Sequence, residues 1–422
     1  MMQIARAIAF LLAMLVAVSP VHAAEIAVEP GENTLARAVV LSKPGDRLVL
    51  ATGLYSGAVI IDRPLTITAL GKPHLDGESE GSVILVDAPD VTVEGLYITG
   101  SGNSHEEIDS GVKLTKKATG AVVRNNRLEG NLYGIDIHGA RDALVKDNVI
   151  IGRSDRRMNR RGNGVYVWNA PGATVEGNFI RLGRDGIFVN TSRKNTFSNN
   201  RFEELRFAIH YMHANDSTVT GNLSIGNHLG YAIMFTDRVK IRDNVSVRDR
   251  DHGIMLNYAN NSVVEGNVVV GGGKKCLFVY NANKNVMRRN RLEACPIGIH
   301  FTGGSERNEI SGNAFIGNRT QIKFVSTRDH VWTGNYWSDH TAYDVNGDGV
   351  ADQPFRPNDA MDRILWTQPS AKLLIGSPAV QLIRWAQKNF PSLLPGGIVD
   401  DRPLMKPHAL APEVAQLKAV LK

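Results

Sequence analysis

One asparagine returns along this chain about once every 22 residues, and that recurrence leaves little choice of fold. It stands at Asn126, Asn148, Asn178, Asn200, Asn222, Asn244, Asn267, Asn290, Asn313 and Asn335, at intervals of 22, 30, 22, 22, 22, 23, 23, 23 and 22. A repeat of this length is the signature of a solenoid, in which each unit buries its apolar face against the next. The long interval holds eight extra residues, so one coil carries an external loop.

A small residue precedes the asparagine by 14 positions in nearly every coil: Gly134, Gly164, Gly186, Ala208, Gly230, Gly253 and Cys276, with Gly298 one residue further away. The first and third residues after it are apolar or aromatic throughout, from Ile135 and Ile137 to Ile299 and Phe301. Alternation of this kind is a half-buried strand. A second short strand lies just before each asparagine, as in residues 174–176 and 262–265. Such strands cannot form hairpins within a coil, so they pair in parallel with coils above and below, about 4.8 Å away. The expected fold is all-β, a right-handed parallel β-helix over residues 24–335, with the asparagines stacked in its turns. A short helix over residues 34–42 begins an N-terminal cap that shields the first strand edge.

The ends read differently. Residues 1–23 carry Arg6, an apolar run from Ala7 to Val18, and Val21-His22-Ala23, which reads as an export signal cleaved after Ala23. No later run is apolar over 18 residues, so the mature chain is expected to be soluble. Loss of Arg6 lowers the net charge from +6 to +5. Residues 336–422 form a C-terminal loop, a helix and an extended tail. Asp344, Asn346, Asp348, Val350 and Asp352 are spaced like calcium ligands, although position 12 is Phe355 rather than an acid. A metal-free turn explains the same residues. The helix runs from Pro378 to Phe390 with an apolar face that includes Trp385, suited either to capping the solenoid or to docking on a membrane partner. Cys276 and Cys295 are 19 residues apart, which does not stack them directly, so a disulfide is not the favoured expectation. Two cysteines also exclude a zinc ribbon or an iron–sulfur site of ordinary spacing.

With the register fixed, the outward columns carry the chemistry. The second residue after the small marker runs through Asp136, Tyr166, Phe188, His210, Met255 and His300; the fourth runs through His138, Trp168, Met212, Met234 and Tyr280. A face so rich in rings and sulfur is a binding face. Met212 should lie over Met234, with His210 two residues away and Met255 and His252 further along. Thioether and imidazole favour Cu(I). An adaptable protein-binding surface and a sugar groove stay open beside it. For sugar chemistry, Asp136, His138 and the nearby arginines are the only compact acid–base set. The extra loop holds Arg153, Arg156, Arg157, Arg160 and Arg161 with one acid, Asp155, which suits an anionic protein partner, lipid headgroups or plain solvent. Nucleic acid is not an expected partner of an exported chain.

Residues 162–171 (GNGVYVWNAP), 206–212 (RFAIHYM), 251–260 (DHGIMLNYAN) and 334–339 (GNYWSD) closely resemble the NosD family, periplasmic maturation factors of nitrous oxide reductase. The resemblance extends from about Ala24 through residues 357–359 and 384–386. It implies a Gram-negative periplasmic protein that joins an ATP-binding-cassette transporter made of a cytoplasmic ATPase and a membrane permease. It also implies a part in building the reductase's copper centres, with copper received from a membrane-anchored chaperone, and contact with the membrane only through these partners. Trp168, Trp385 and the arginines Arg156, Arg157, Arg160 and Arg161 are the expected partner contacts. Without the resemblance, a polysaccharide-binding or polysaccharide-modifying solenoid is the alternative.

Overall fold

The computed structural model describes residues 23–325, 329–358, 360–374, 376–390 and 397–410; the expected leader lies outside them except for Ala23. Three parallel sheets run along the stack, two of 14 strands and one of 12. Every neighbour within a sheet belongs to an adjacent coil, as the repeat requires. The apolar columns point inward: Ile135, Val165, Ile187, Ile209 and Ile254 join Ile137, Val167, Val189, Tyr211 and Leu256 in one continuous core. The chain passes between the three sheets by turning at corners, and the asparagines sit at the corner between the first two sheets.

That corner explains the repeat. The residue before each ladder asparagine has positive φ, from Asn125 at 54° to Gly334 at 66°. Asparagine, aspartate and glycine tolerate this conformation, which is why the pairs NN, DN and GN recur. The asparagine that follows is buried and bridges coils. Asn222 Oδ1 accepts from the backbone N–H of Asn200 at 3.0 Å, while its Nδ2 donates to the carbonyl of Phe197 at 2.9 Å and to Asn244 Oδ1 at 2.9 Å. Each corner amide that the turn leaves without a strand partner thereby finds one. The eight extra residues do not interrupt the ladder, since Asn148 N–H still donates to Asn178 Oδ1 at 2.9 Å.

One wall was not legible in the sequence. A strand of about three residues follows each asparagine, such as Phe179–Arg181 after Asn178, and these strands make the second sheet. At the start of the stack the helix Thr34–Leu41 buries Leu35 and Val39 in the core.

Two expectations are corrected. Cys276 and Cys295 form a disulfide, with Cα atoms 5.7 Å apart. Cys276 is the second residue of the third-sheet strand Lys275–Tyr280 and Cys295 stands at the corner just before the next strand, Ile297–Thr302, and both side chains are buried. The tail, expected only to be extended, folds back on the solenoid. Asp400 is fully buried at the end of the asparagine ladder. Its carboxylate accepts from Gly334 N–H at 3.0 Å, Asn335 N–H at 2.9 Å, Asn335 Nδ2 at 3.0 Å and Trp337 Nε1 at 3.0 Å. Leu404 then bridges to Tyr336, and Leu410 packs beside Val245 and Val268 several coils back. The cap is therefore the tail, with Phe355 stacked near Trp337 at 5.3 Å. The helix Pro378–Asn389 forms as expected, with Ser377 capping its N-terminus, but Leu382 and Trp385 stay largely exposed.

Candidate functional site

The third sheet carries the longest strands, up to the nine residues of Leu229–Asp237 and His252–Asn260. Its outward columns follow the sequence register. Met212 pairs with Met234, and Met234 with Asn257 on the next coil. His210 pairs with Ala232, and Ala232 with Met255. Ala232 is fully buried although it faces outward, so the larger side chains around it close over the gap between His210 and Met255.

His210 is held from three sides. Its ring stacks on Phe188 at 4.6 Å, and Phe207 meets it edge-on at 5.0 Å. Its Nδ1 lies 3.0 Å from Asp185 Oδ2, and Arg206 Nε donates to the other oxygen of Asp185 at 2.7 Å. Burial pushes the Asp185 carboxyl up, but the hydrogen bonds from His210 and Arg206 outweigh it and hold it below the usual carboxylate range. A carboxylate can only accept, so the tautomer with its hydrogen on Nδ1 is the one that satisfies Asp185 and would leave the Nε2 lone pair to a ligand; Arg206 Nη2 also lies 3.3 Å from Nδ1. Carboxylates orient ligand histidines in metal sites in this manner. Neither Asp185 nor Arg206 was singled out from the sequence. Asp185 stands one residue before the small marker of its coil and Arg206 two residues before the next, and reading those two columns would have found them.

The remaining candidates separate. His252 stands beside Lys275 in register, three residues before Met255 on its strand. Burial above all, with the Lys275 ammonium adding to it, pushes the His252 pKa down to about 4. Burial and the nearby Lys275 and Lys323 bring His300 down to about 3. Lys275 itself falls to about 8, mainly through burial. A cation is less welcome here than at Met212 and Met234. Among the described residues no three His, Cys, Asp or Glu side chains converge as metal ligands.

Asp136 was expected on the outward face, available for acid–base work. It does face outward in register, yet it is fully buried, with neither oxygen hydrogen-bonded and His138 Nδ1 3.8 Å away. Burial raises its pKa to about 7. A polymer cannot reach it in this arrangement. Beside it, Trp168 and His138 stack at 4.3 Å and remain partly open.

The arginine loop is a built platform. Arg153 donates to the carbonyls of Ser101, Gly102 and Gly130, and Arg161 Nε to that of Asp155 at 2.6 Å. His105 Nε2 meets the Arg160 carbonyl at 3.2 Å. Pinned in this way, the loop leaves Arg156, Arg157 and Arg160 exposed and Arg161 half-buried. In the acidic loop, the Asp344 carboxylate accepts from Gly347 and Gly349, Asp348 from Val350 and Asp352 from Val345. These oxygens already shape the turn, and Asn346 does the same for Asp348 N–H at 3.0 Å.

Residues 149–342 match the family described as "Periplasmic copper-binding protein (NosD)". A probable ABC transporter binding protein NosD of Stutzerimonas stutzeri is 37% identical over 379 residues, covering 86% of this chain and 87% of the relative. The chain belongs to the NosD family. A second NosD relative, from Pseudomonas aeruginosa, is 37% identical over 390 residues, with 88% and 91% of the two chains covered. The matched NosD stretch contains the arginine loop, His210, Met212 and Met234, and leaves out Trp385 and Asp400. Solved structures resemble the NosD coil stack in fold alone. An alginate lyase of family PL6 in complex with a trisaccharide is 14% identical with a TM-score of 0.59 over 78% of this chain and 90% of that one. A family 28 exopolygalacturonase of Yersinia enterocolitica is 11% identical with a TM-score of 0.57 over 72% and 78%. No helix among the described residues is long and apolar enough to cross a membrane.

Proposed function

We propose that this chain is a non-enzymatic periplasmic accessory protein that handles Cu(I) transiently while the copper centres of nitrous oxide reductase are assembled. It would work with the permease and ATPase of an ABC transporter and take copper from a chaperone. The observation that carries the reading is the rung of Met212 against Met234 beside a histidine whose Nδ1 is tied to Asp185. Coil spacing of about 4.8 Å lets two thioethers reach one ion, and these soft ligands with one oriented imidazole suit Cu(I). Met255 is the next ligand along; His252, beside Lys275, is the weakest of the five candidates. Titration of the metal-free chain with Cu(I) against a competing chelator, under reducing conditions, should give one tightly held ion. Unchanged binding in Met212→Ala plus Met234→Ala would sink the site.

The exposed helix Pro378–Asn389 is the proposed transporter contact. Trp385, 58% exposed, and Leu382, 64% exposed, offer the apolar surface. Replacing Trp385 by serine should abolish co-purification with the transporter and spare copper binding. Retention of the complex would make the helix a bystander. Truncation after Asn358 is not a clean test, because it also removes Asp400. The arginine loop and Trp168 suit an acidic partner such as the chaperone or the reductase. The half-open Trp168 and His138 pair favours carbohydrate as the second reading, and the burial of Asp136 counts against sugar chemistry there.

A further inference from the structure

Past Met255 the same face changes character, and its last coils gather positive charge around one ring. Lys275 pairs in register with His252, and its Nζ sits 3.4 Å from the centre of the Phe278 ring. Lys323 follows His300 on the final strand of the sheet. Both lysines are half-buried, and neither forms an ion pair among the described residues. Asp251, the acid beside His252, is engaged by Lys274 at 3.0 Å. His252 and His300 flank Phe278, with ring centroids 5.1 and 5.4 Å from it. The Nδ1 of each is buried without a hydrogen-bond partner, with Asp251 Oδ1 3.4 Å from that of His252, and the whole of His252 is only 6% exposed. A buried polar atom left unpaired is costly, and so is a partly desolvated ammonium without a counter-ion. These groups, three of them at the Phe278 ring and Lys323 one strand beyond His300, share a single remedy, a negative charge placed among them.

We infer that Lys275, Lys323, His252 and His300 form a binding site for a compact inorganic oxyanion of the sulfate or phosphate kind. Two ammoniums act as point charges, and two imidazoles can each turn an N–H toward the ligand. No guanidinium fork is present to match a planar carboxylate, so a tetrahedral anion fits better than a carboxylate does. Partial burial strengthens the attraction relative to bulk water. The site shares nothing with the rung of Met212 and Met234; of the copper candidates only His252, the weakest of them, belongs to both.

The test uses the full, metal-free chain in low-chloride buffer, titrated by calorimetry with sodium sulfate, sodium phosphate and sodium acetate. Sulfate or phosphate should bind saturably with one site, acetate at least about tenfold more weakly, which is ~1.4 kcal/mol. Lys275→Gln and Lys323→Gln should each weaken binding by about tenfold or more, with an unfolding midpoint like the parent's, and Lys240→Gln, at an exposed lysine on another sheet, should change nothing. In the unaltered protein, the ring signals of His252 and His300 should move with sulfate in NMR spectra, independently of any variant. No saturable binding at millimolar anion, equal response to acetate, or binding that survives Lys275→Gln plus Lys323→Gln would overturn the inference.

Discussion

Asp400→Ala should loosen the end of the solenoid out of proportion to the one side chain it removes. The carboxylate is the last acceptor of the asparagine ladder, and Asn335 N–H and Trp337 Nε1–H are buried donors that it alone satisfies. An orphaned buried donor costs about 1–3 kcal/mol, so these two together predict a loss of about 2–6 kcal/mol. Coils in a solenoid lean only on their neighbours, so the loss should appear as fraying of the last coils before the rest unfolds. Asp400→Asn keeps one acceptor oxygen and should lose roughly half as much. Hydrogen exchange at Gly334 and Asn335, with urea unfolding followed by tryptophan fluorescence, reads both effects, because Trp337 is 2% exposed. If the alanine variant moves stability by less than about 0.5 kcal/mol and Asn335 stays protected, the capping argument is wrong.

Asp185→Asn should weaken Cu(I) binding roughly 10–100-fold through the lost orientation of His210, measured by chelator competition; an unchanged affinity would mean that His210 is not a ligand. Asp136 holds a proton in the folded chain up to about pH 7, whereas the unfolded chain releases it near 3.8. Its contribution is full below the lower value and is lost as pH rises through the upper one. Asp136→Asn should therefore gain stability over the parent at pH 8 and less so at pH 5, in urea midpoints taken at both; parallel pH profiles would refute the shift. Asp249, also raised to about 7 by burial, leaves the variant with part of the parent's slope. Replacing Cys276 and Cys295 by serine should cost about 3 kcal/mol in thermal unfolding under oxidising conditions, and a reductant should bring the parent down to the same level.

The coil, its inward columns and the pairing of Met212 with Met234 were legible because each depends on a repeat that the ladder enforces. Asn148 and Asn178 kept step across the inserted loop for the same reason. What stayed hidden depends on corners and on neighbours in space. Cys276 and Cys295 meet through the turn of one corner, which a residue count does not convey. Asp185 reaches His210 from the coil before, through a column that the alternation rule leaves unread. Asp136 points outward as the pattern demands and is nonetheless covered, since burial is decided by side chains from adjacent coils. The ladder's last acceptor was the hardest to foresee, because Asp400 lies 65 residues beyond Asn335 and carries no repeat signal.

The helix with Trp385 leaves the solenoid and comes back to it. On the near side Asn358 Nδ2 donates to the carbonyl of Ile322 at 2.7 Å, and on the far side Asp400 is locked into the final corner. The segment between them is thus a handle fixed at both feet rather than a rope tied at one. Beyond the second foot, the irregular chain from Leu404 to Leu410 runs back along the flank, bridged to Tyr336 at one end and packed beside Val245 and Val268 at the other. A partner bound at Trp385 would therefore be held to the last coils through both feet, and losing either foot should weaken its hold on the stack.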